Sequence, residues 1–369
     1  MSSSALQLAA AVAAHGLPGA RPDLPVSCKS ACWDALRDEL VDQRLTGLAV
    51  ECVDHGVLAL DPSQYDELLS LHEQQLALDL RLERLLRATA RLLDRDAIAY
   101  RALKGAAVGR MAYAHPELRS FADVDLLLPG AQFDDGVELL CRELRLTRRF
   151  DEPRTGFDRR FGKGVCLSAG DGLEVDVHRT LAAGPYGAML DVDALFAPEP
   201  ARIPIGGYDV RALPVGLAFV HACLHAVLGG GALRIVPLRD ACALANLGFD
   251  IDDVLSLCTR SRVLTVVGIA VERVRDVLAV ELPPAVLAAF VGTRLSRFDR
   301  WALSTYRDEG PSYSAQAAAT FWVLPSMRDR LAYARALMWP NERYLRSRDR
   351  GHLRRLTRSA GLGLRWRPR

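Results

Sequence analysis

The spacing of apolar residues divides the chain into three stretches. Up to about residue 96, apolar positions recur every three or four residues, which predicts amphipathic helices over residues 32–54 and 63–93. The sequence Asp61-Pro62-Ser63 is typical of a helix start and begins the second of these. The first stretch is therefore predicted to be a helical layer or lid.

From residue 98 the period changes to that of short strands mixed with helices. Alternating or apolar runs predict strands at 98–103, 121–128, 159–168 and 173–181, a hairpin at 204–213, and helices at 106–113 and 132–144. The tight turn at 169–172 joins two of the strands. This stretch is predicted to be an α+β core.

After Pro214 the helical period returns. It predicts helices over residues 215–228, 238–247, 251–262, 264–280 and 284–296. The predicted organisation is an N-terminal helical region (1–96), a catalytic core (97–213), a helical domain (214–340) and a basic tail (341–369).

Composition limits the classes of partner. Half of the 369 residues are hydrophobic, and 47 basic residues face 45 acidic ones, so no global field favours a nucleic acid or a membrane as partner. The eight cysteines show no zinc-like spacing, and no secretory leader or long apolar segment is present, so a cytoplasmic protein is expected. From Arg343 onward ten arginines face one aspartate, which indicates either a solvated tail or a contact with phosphates or an acidic partner.

Two aspartates stand one residue apart in the apolar segment 121–128. Because side chains alternate along a strand, Asp123 and Asp125 should share one face while Val124 points to the other. Adjacent carboxylates repel each other, so a cation is expected between them. Mg²⁺ suits the position, because it accepts carboxylate oxygens and leaves sites open for phosphate.

A second alternating strand offers a third carboxylate. In segment 173–181, Glu174, Asp176 and His178 fall on one face. Asp176 and Glu174 compete for the role of third acid. His178 could orient the carboxylate or bind an acceptor, or it could simply pack at the strand end.

Lysine is rare, since the only lysines are Lys29, Lys104 and Lys163. Lys104-Gly105 follows a predicted strand and opens a predicted helix, and such a turn directs backbone N–H groups toward an anion. A compact lysine charge suits a triphosphate, so Lys104 and Lys163 are candidate phosphate ligands, although Lys163 could equally be a turn residue.

Taken in order, these motifs resemble the nucleotidyltransferases of the DNA polymerase β type. Within them, the chain is similar to an uncharacterised family with an LKG turn, an R-x-x-x-DhDLL strand and an hDhH strand, found here at 103–105, 119–127 and 175–178. The likeness continues through an H-x-x-x-H helix at 219–225 and an R-L-x-x-x-x-D pattern at 233–240, with a looser match at 340–344. It departs at the turn, where Ala106 replaces the Gly or Ser that usually follows the glycine.

The resemblance implies a polymerase β-like core, which is a mixed sheet with helices, flanked by N-terminal and C-terminal helical regions. It implies transfer of a nucleoside monophosphate, AMP by default, from an NTP (ATP by default) to a hydroxyl or phosphate of a small-molecule or peptide acceptor. It also implies a two-metal site for Mg²⁺, or alternatively Mn²⁺, held by Asp123, Asp125 and Asp176, in which Asp176 ligates the acceptor-side ion or takes the proton. The candidate nucleotide-binding residues are Lys104, Gly105, Arg119, Ser120, Lys163 and His178. The family pattern matches Arg119, but Arg119 and Ser120 could contact the triphosphate or merely end a loop.

Other interpretations stay open. The chain could be a weakly active or inactive accessory protein of the same fold in a biosynthetic or toxin-antitoxin operon, or it could bind nucleic acid through its arginine tail. His221 and His225 have the spacing of metal ligands, but without a third ligand they are expected to line the core or cleft, with Arg234 and Asp240 as candidate polar partners. The acceptor, the base and the oligomeric state are not predicted.

Overall fold

The N-terminal part of the chain is helical. The computed structural model describes residues 3–20, 26–27, 30–229, 233–306 and 313–347. Elements are numbered in chain order, and this part comprises α1 (Ser3–Ala14), β1 (Val26–Ser27), α2 (Ser30–Asp42), α3 (Thr46–Asp54), β2 (Leu58–Ala59) and α4 (Pro62–Arg95). Helix α4 begins where the sequence predicted, because Asp61 and Gln64 form reciprocal side-chain-to-backbone hydrogen bonds and Pro62 occupies the first turn.

The prediction of a single helix over 32–54 was wrong. Helix α2 ends at Asp42, and Arg44 adopts the left-handed backbone conformation with φ 56°. Such a residue ends many helices, but it is usually a glycine. Periodicity alone therefore gave no sign of the break.

A seven-stranded mixed sheet forms the middle of the protein. Its strands are β3 (Arg101–Ala102), β4 (Val124–Leu127), β5 (Thr147–Arg148), β6 (Gly164–Ser168), β7 (Glu174–His178), β8 (Ala201–Ile205) and β9 (Tyr208–Ala212), in the spatial order β5-β6-β7-β4-β3-β9-β8. The associated helices are α5 (Ala106–Ala112), α6 (Phe133–Glu143), α7 (Phe157–Arg160) and α8 (Gly184–Met189). Strands β4 and β7 are parallel neighbours near the centre, whereas β6 and β7 form the predicted hairpin. The predicted α+β class is confirmed.

The strands predicted at 98–103, 121–128, 159–168 and 173–181 are all shorter than expected, and the largest difference, at 159–168, has a physical reason. The segment 159–168 was predicted to be extended throughout, but its first part belongs to the helical turn α7 and only Gly164–Ser168 is a strand. The rings of Phe157 and Phe161, four residues apart, both pack on Tyr333, with centroids 5.8 and 5.4 Å away. The helical turn thus places both phenylalanine rings against one packing partner, Tyr333.

The remaining helices follow the sheet. They are α9 (Val215–Leu228), α10 (Ile235–Leu247), α11 (Ile251–Arg260), α12 (Leu264–Leu278), α13 (Pro284–Phe290), α14 (Arg297–Ser304), α15 (Tyr313–Val323) and α16 (Met327–Met338). Within the described ranges, no helix combines the length and the apolar character that crossing a bilayer would require.

The sheet separates two cores. Leu126 of β4 packs with α4 and α6, whereas its neighbour Leu127 belongs to a larger core that joins the N-terminal helices to α9–α14. Because alternate residues share a face, Asp125 projects toward the same side as Leu127. Asp125 and Leu127 of the R-x-x-x-DhDLL motif therefore lie on the side of the sheet that the C-terminal helices cover.

The start of the basic tail contacts the core. Asn341 donates from its backbone N–H to the carbonyl of Pro153 (2.8 Å) and from its side chain to the carbonyl of Glu152 (3.1 Å). Residues 348–369, which carry most of the predicted arginine-rich tail, lie outside the described residues.

Candidate active site

The register of β4 against β7 places two of the predicted acids side by side. Asp125 is paired with Asp176, and Leu127 is paired with His178. Ligand atoms of Asp125, Asp176 and His178 all lie within 4.8 Å of one another. This follows directly from the alternation of the two motifs, D-x-D and D-x-H, on parallel neighbouring strands.

Lys104 lies between the first two aspartates. Its Nζ is 3.1 Å from Asp125 Oδ2 and 3.7 Å from Asp123 Oδ2. The Asp125 side chain is only 2% exposed, whereas that of Asp123 is 24% exposed and lies just before β4 begins. The cation expected between the carboxylates is thus, in this structure, a lysine ammonium.

The surroundings shift the pKa values of the two aspartates in opposite directions. Burial and the neighbouring Asp125 raise the pKa of Asp123. Burial also opposes ionisation of Asp125, but Lys104 and the hydrogen bond from His178 outweigh it and keep the pKa of Asp125 well below its usual range. Burial lowers the pKa of Lys104, but the carboxylates outweigh it and raise the value to about 12, so the lysine stays charged.

His178 supports Asp125 from the other side. Its Nε2 donates to Asp125 Oδ1 over 2.8 Å, and the imidazole is 3% exposed. Its Nδ1 is buried without a hydrogen-bond partner among the residues that the structure describes. The histidine therefore orients the carboxylate, which is one of the roles that the sequence left open.

The structure distinguishes the two acids that compete for the third position. Glu174 Oε1 accepts from Arg149 Nη1 at 2.8 Å, at the rim of the sheet. Asp176 accepts a hydrogen bond from the thiol of Cys166, its partner on β6, and lies beside Asp125. Of the two, Asp176 is thus the one in reach of the cluster.

The loop before β4 is anchored to the C-terminal helices through Arg119. Its guanidinium binds Asp240 of α10 through Nε (2.8 Å) and Nη2 (2.8 Å), and Tyr113 donates to the same carboxylate over 2.7 Å. Both charged side chains are at most 5% exposed. The structure thus directs Arg119 at Asp240 rather than at the cleft. Ser120 is fully buried, and its carbonyl accepts from Arg119 Nη1.

The same loop is anchored to α4 through the backbone of Phe121. Asp79 accepts from its N–H (3.1 Å) and Gln75 donates to its carbonyl (2.8 Å). Burial raises the pKa of Asp79 to about 6. Gly105 packs against Phe121 and has a backbone φ of 51°. A Cβ added to Gly105 would lie 3.2 Å from Phe121 Cβ, so a side chain at this position would be strained and crowded.

Two further cations border the cluster. Lys163 is exposed, but desolvation by the cleft walls and repulsion from Lys104 lower its pKa. Arg44, at the end of α2, is half-buried, and desolvation lowers its pKa although Asp123 attracts it. Sequence reasoning identified Lys163 but missed Arg44, Gln75, Asp79 and Cys166. No local pattern marks these four, because each acts on a residue distant in the chain.

The predicted histidine pair lies below Lys104. His221 is 4% exposed, and its ring is nearly parallel to that of His225, with centroids 6.3 Å apart. Both line a cavity that also borders Lys104 and Asp240. Asp240, a predicted partner of these histidines, instead accepts from Arg119 and Tyr113.

Comparisons with known proteins agree with the motifs. The model of a family described as uncharacterised nucleotidyltransferase matches residues 29–279, and no curated protein matches the chain. Two solved structures are similar. An antigenic nucleotidyltransferase-like protein from Paracoccidioides brasiliensis has 17% identity and a TM-score of 0.37, and the match covers 57% of this chain and 94% of that one. The antibiotic-resistance factor ANT(2'')-Ia has 21% identity and a TM-score of 0.33, and the match covers 50% and 91%.

Proposed function

The chain belongs to the uncharacterised nucleotidyltransferase family, and on that basis we propose that it transfers a nucleoside monophosphate from an NTP to an acceptor, with Asp123, Asp125 and Asp176 as the catalytic carboxylates. The observation that supports this most strongly is the adjacency of Asp125 and Asp176 on parallel strands, with His178 in the same group. ATP is the default donor, and a small-molecule or peptide acceptor is preferred over nucleic acid.

The donor set fits a magnesium site. Carboxylate oxygens from three aspartates are the ligands that Mg²⁺ prefers, and Asp125 is already kept ionised by its neighbours. When bound, Mg²⁺ would neutralise phosphate charge and make the acceptor hydroxyl more acidic. Asp123, Asp125 and Asp176 would hold it.

The protein's own groups would carry the rest of the reaction. The acceptor oxygen forms a bond to the α-phosphorus, the bond from that phosphorus to the bridging oxygen breaks, and pyrophosphate leaves with the electron pair. Asp176 would accept the acceptor's proton. Lys104, which stays cationic, would turn from the carboxylates to the phosphates, as Lys163 would from the rim.

A second candidate function rests on Lys104 itself. Its ammonium already neutralises Asp123 and Asp125, as a metal would. A protein that keeps this arrangement would be a binding or accessory protein without transfer chemistry. The two candidates differ in whether the chain releases pyrophosphate from an NTP when Mg²⁺ is present.

The test is pyrophosphate release from labelled NTPs by the full chain, with Mg²⁺ or with a chelator, in the presence and absence of a small-molecule and peptide extract. Release should require Mg²⁺, and Asp176→Asn should lower it at least about 100-fold. Glu174→Gln is the matched control, because this residue lies on the same strand face but pairs with Arg149. Equal losses in both variants, or full release by Asp176→Asn, would contradict the assignment.

We also propose a reducing, cytoplasmic location. Six cysteines of the described part have free thiols, including four that are buried: Cys52, Cys141, Cys166, Cys223, Cys242 and Cys258. Labelling of thiols in the freshly isolated protein under denaturing conditions would check this, since every cysteine should react without prior reduction.

A further inference from the structure

A cavity of about 230 Å³ lies between the end of β7 and helices α15 and α16. Its lining combines apolar and charged side chains, among them Phe161, Ala188, Leu324, Arg160, Arg179 and Asp329. Pockets that hold a whole small molecule usually measure roughly 300–1,000 Å³. The cavity therefore has room for part of an organic molecule rather than for a single ion.

The two arginines of this cavity differ in how well their charges are matched. Arg160 Nη2 lies 2.7 Å from Asp329 Oδ1, and its Cζ lies 4.7 Å from the centroid of the Phe161 ring. Arg179 is half-buried, and its Nε donates to the carbonyl of Gly162 over 2.9 Å. Within the ranges that the structure describes, Arg179 forms no ion pair. Its two Nη groups therefore remain to bind an anion.

Arg179 connects this cavity to the candidate active site. It directly follows His178, whose Nε2 is 2.8 Å from Asp125 Oδ1. The backbone N–H of Arg179 donates to the carbonyl of Lys163 over 2.8 Å, and the next residue, Gly164, is paired with His178 across the hairpin. The cavity lining thus begins one residue away from a side chain that contacts Asp125.

The sheet order places the cavity on one side of the carboxylate cluster. Strands β7 and β6 lie on one side of β4, whereas β3, which leads into the Lys104-Gly105 turn, lies on the other. Arg160 comes shortly before β6, and Arg179 comes directly after β7. The cavity therefore belongs to the side of the sheet that carries Asp176, opposite the Lys104-Gly105 turn.

We propose that this cavity binds an anionic group of the acceptor, either a carboxylate or a phosphate monoester, with Arg179 as its ligand. The inference rests on the proposed function, in which Asp176 takes the acceptor's proton and the Lys104-Gly105 turn receives the triphosphate. A guanidinium matches such oxygen anions with paired hydrogen bonds, and the bound anion would supply the counter-charge that Arg179 lacks. The apolar part of the lining would hold the carbon skeleton next to that anion.

The test measures binding without turnover, by NMR titration of the full chain with benzoate, phenyl phosphate and the neutral benzyl alcohol. At least one of the two anions should bind at least about tenfold more tightly than benzyl alcohol. Arg179→Gln should weaken binding of that anion about 10-fold to 100-fold, as expected for a lost charge-assisted hydrogen bond. The anion that binds more tightly identifies the acceptor group as a carboxylate or a phosphate.

The chain offers a matched control and a second variant. Arg159 lies in the same helical turn as Arg160, but it is 50% exposed and pairs with Asp134 over 3.3 Å, so Arg159→Gln should leave anion binding unchanged. Ala188→Leu narrows the cavity and keeps Arg179, so it should also weaken anion binding. The melting temperature of each variant verifies that it folds, and Ala188→Leu provides the test if Arg179→Gln does not.

A competition experiment tests whether the site belongs to the acceptor. Saturating non-hydrolysable NTP with Mg²⁺ should leave the anion bound, because the proposed nucleotide turn lies on the opposite side of the cluster. Displacement of the anion by the NTP would assign the cavity to the nucleotide and overturn the inference. Failure of both anions to bind, or wild-type anion affinity in Arg179→Gln, would overturn it as well.

Failure of this inference is distinguishable from failure of the proposed function. If pyrophosphate release depends on Asp176 but anion binding does not depend on Arg179, only the inference fails. If the anions bind through Arg179 but no NTP is turned over, only the transfer chemistry fails.

Discussion

Two buried charge clusters lie a few residues apart in the sequence, and they differ in how completely their charges are matched. In the closed cluster, Arg119, Asp240 and Tyr113, one guanidinium meets one carboxylate through several short hydrogen bonds. In the open cluster, Lys104 Nζ lies 3.7 Å from Asp123 and 3.1 Å from Asp125, and Asp176 is paired with Asp125 on the neighbouring strand, so the cluster holds three carboxylates. A matched ion pair anchors parts of the fold to each other. An excess of negative charge, in contrast, can be neutralised by a bound ligand.

The largest predicted effect is a loss of activity when one carboxylate of the open cluster is removed. Asp125→Asn should reduce Mg²⁺-dependent pyrophosphate release by at least about 1000-fold, which corresponds to about 4 kcal/mol of activation free energy. The reason is that Asp125 lies in contact with Lys104 and His178 at the centre of the site. Steady-state release assays on folded protein, verified by circular dichroism, would measure it. Activity within tenfold of wild type would remove Asp125 from the chemistry.

Removing the cation of the closed cluster should affect stability. Arg119→Met leaves Asp240 buried without its partner, and the free energy of unfolding should fall by about 3–5 kcal/mol. The exposed pair between Arg81 and Asp171 provides the control, because Arg81→Met should cost less than about 1 kcal/mol. Urea unfolding of both variants gives the numbers. Equal losses would mean that Arg119 is not a structural anchor.

The smallest predicted effect concerns how the free energy of unfolding depends on pH in two variants of the open cluster. A raised carboxyl pKa, as at Asp123, gives stability that is present at low pH and is lost as the pH rises through the folded-state value. A lowered one, as at Asp125, gives stability that is present above the unfolded value of about 3.9 and is lost as the pH falls. As the pH rises, Asp123→Asn should therefore gain stability relative to wild type above about pH 4, whereas Asp125→Asn should lose stability relative to wild type mainly below about pH 4.

Urea unfolding without divalent ions, repeated at pH values on both sides of that point, would measure both trends. Slopes of the same sign for the two variants would show that the pKa values of the two aspartates are not shifted in opposite directions.

The sequence predicted the open cluster better than the closed one. Alternation places Asp123 and Asp125 together and Asp176 with His178, and a parallel pairing of the two strands then suffices to bring Asp125 to Asp176. The family resemblance and the α+β class could also be predicted, because both depend on the order of the motifs and on the spacing of apolar residues along the chain. The roles assigned to the individual site residues stay predictions.

Contacts between distant segments could not be predicted from the sequence. Arg119 was matched to a nucleotide-binding role by its motif, but its partner Asp240 lies 121 residues away on α10. Arg44 had no motif at all, and its position depends on Gln43 reaching a backbone 190 residues further along. Such pairings depend on how the helices pack on the sheet, which periodicity does not encode.

The proposed nucleotidyl transfer requires the open cluster to bind divalent metal together with a nucleotide, which the accessory-protein alternative does not. The most direct test counts Mn²⁺ ions bound per chain, by electron paramagnetic resonance, with a non-hydrolysable NTP present. Wild-type protein and Glu174→Gln should bind about two ions, and Asp125→Asn should lose that binding. Equal Mn²⁺ binding by wild type and Asp125→Asn, or none by wild type, would contradict the claim.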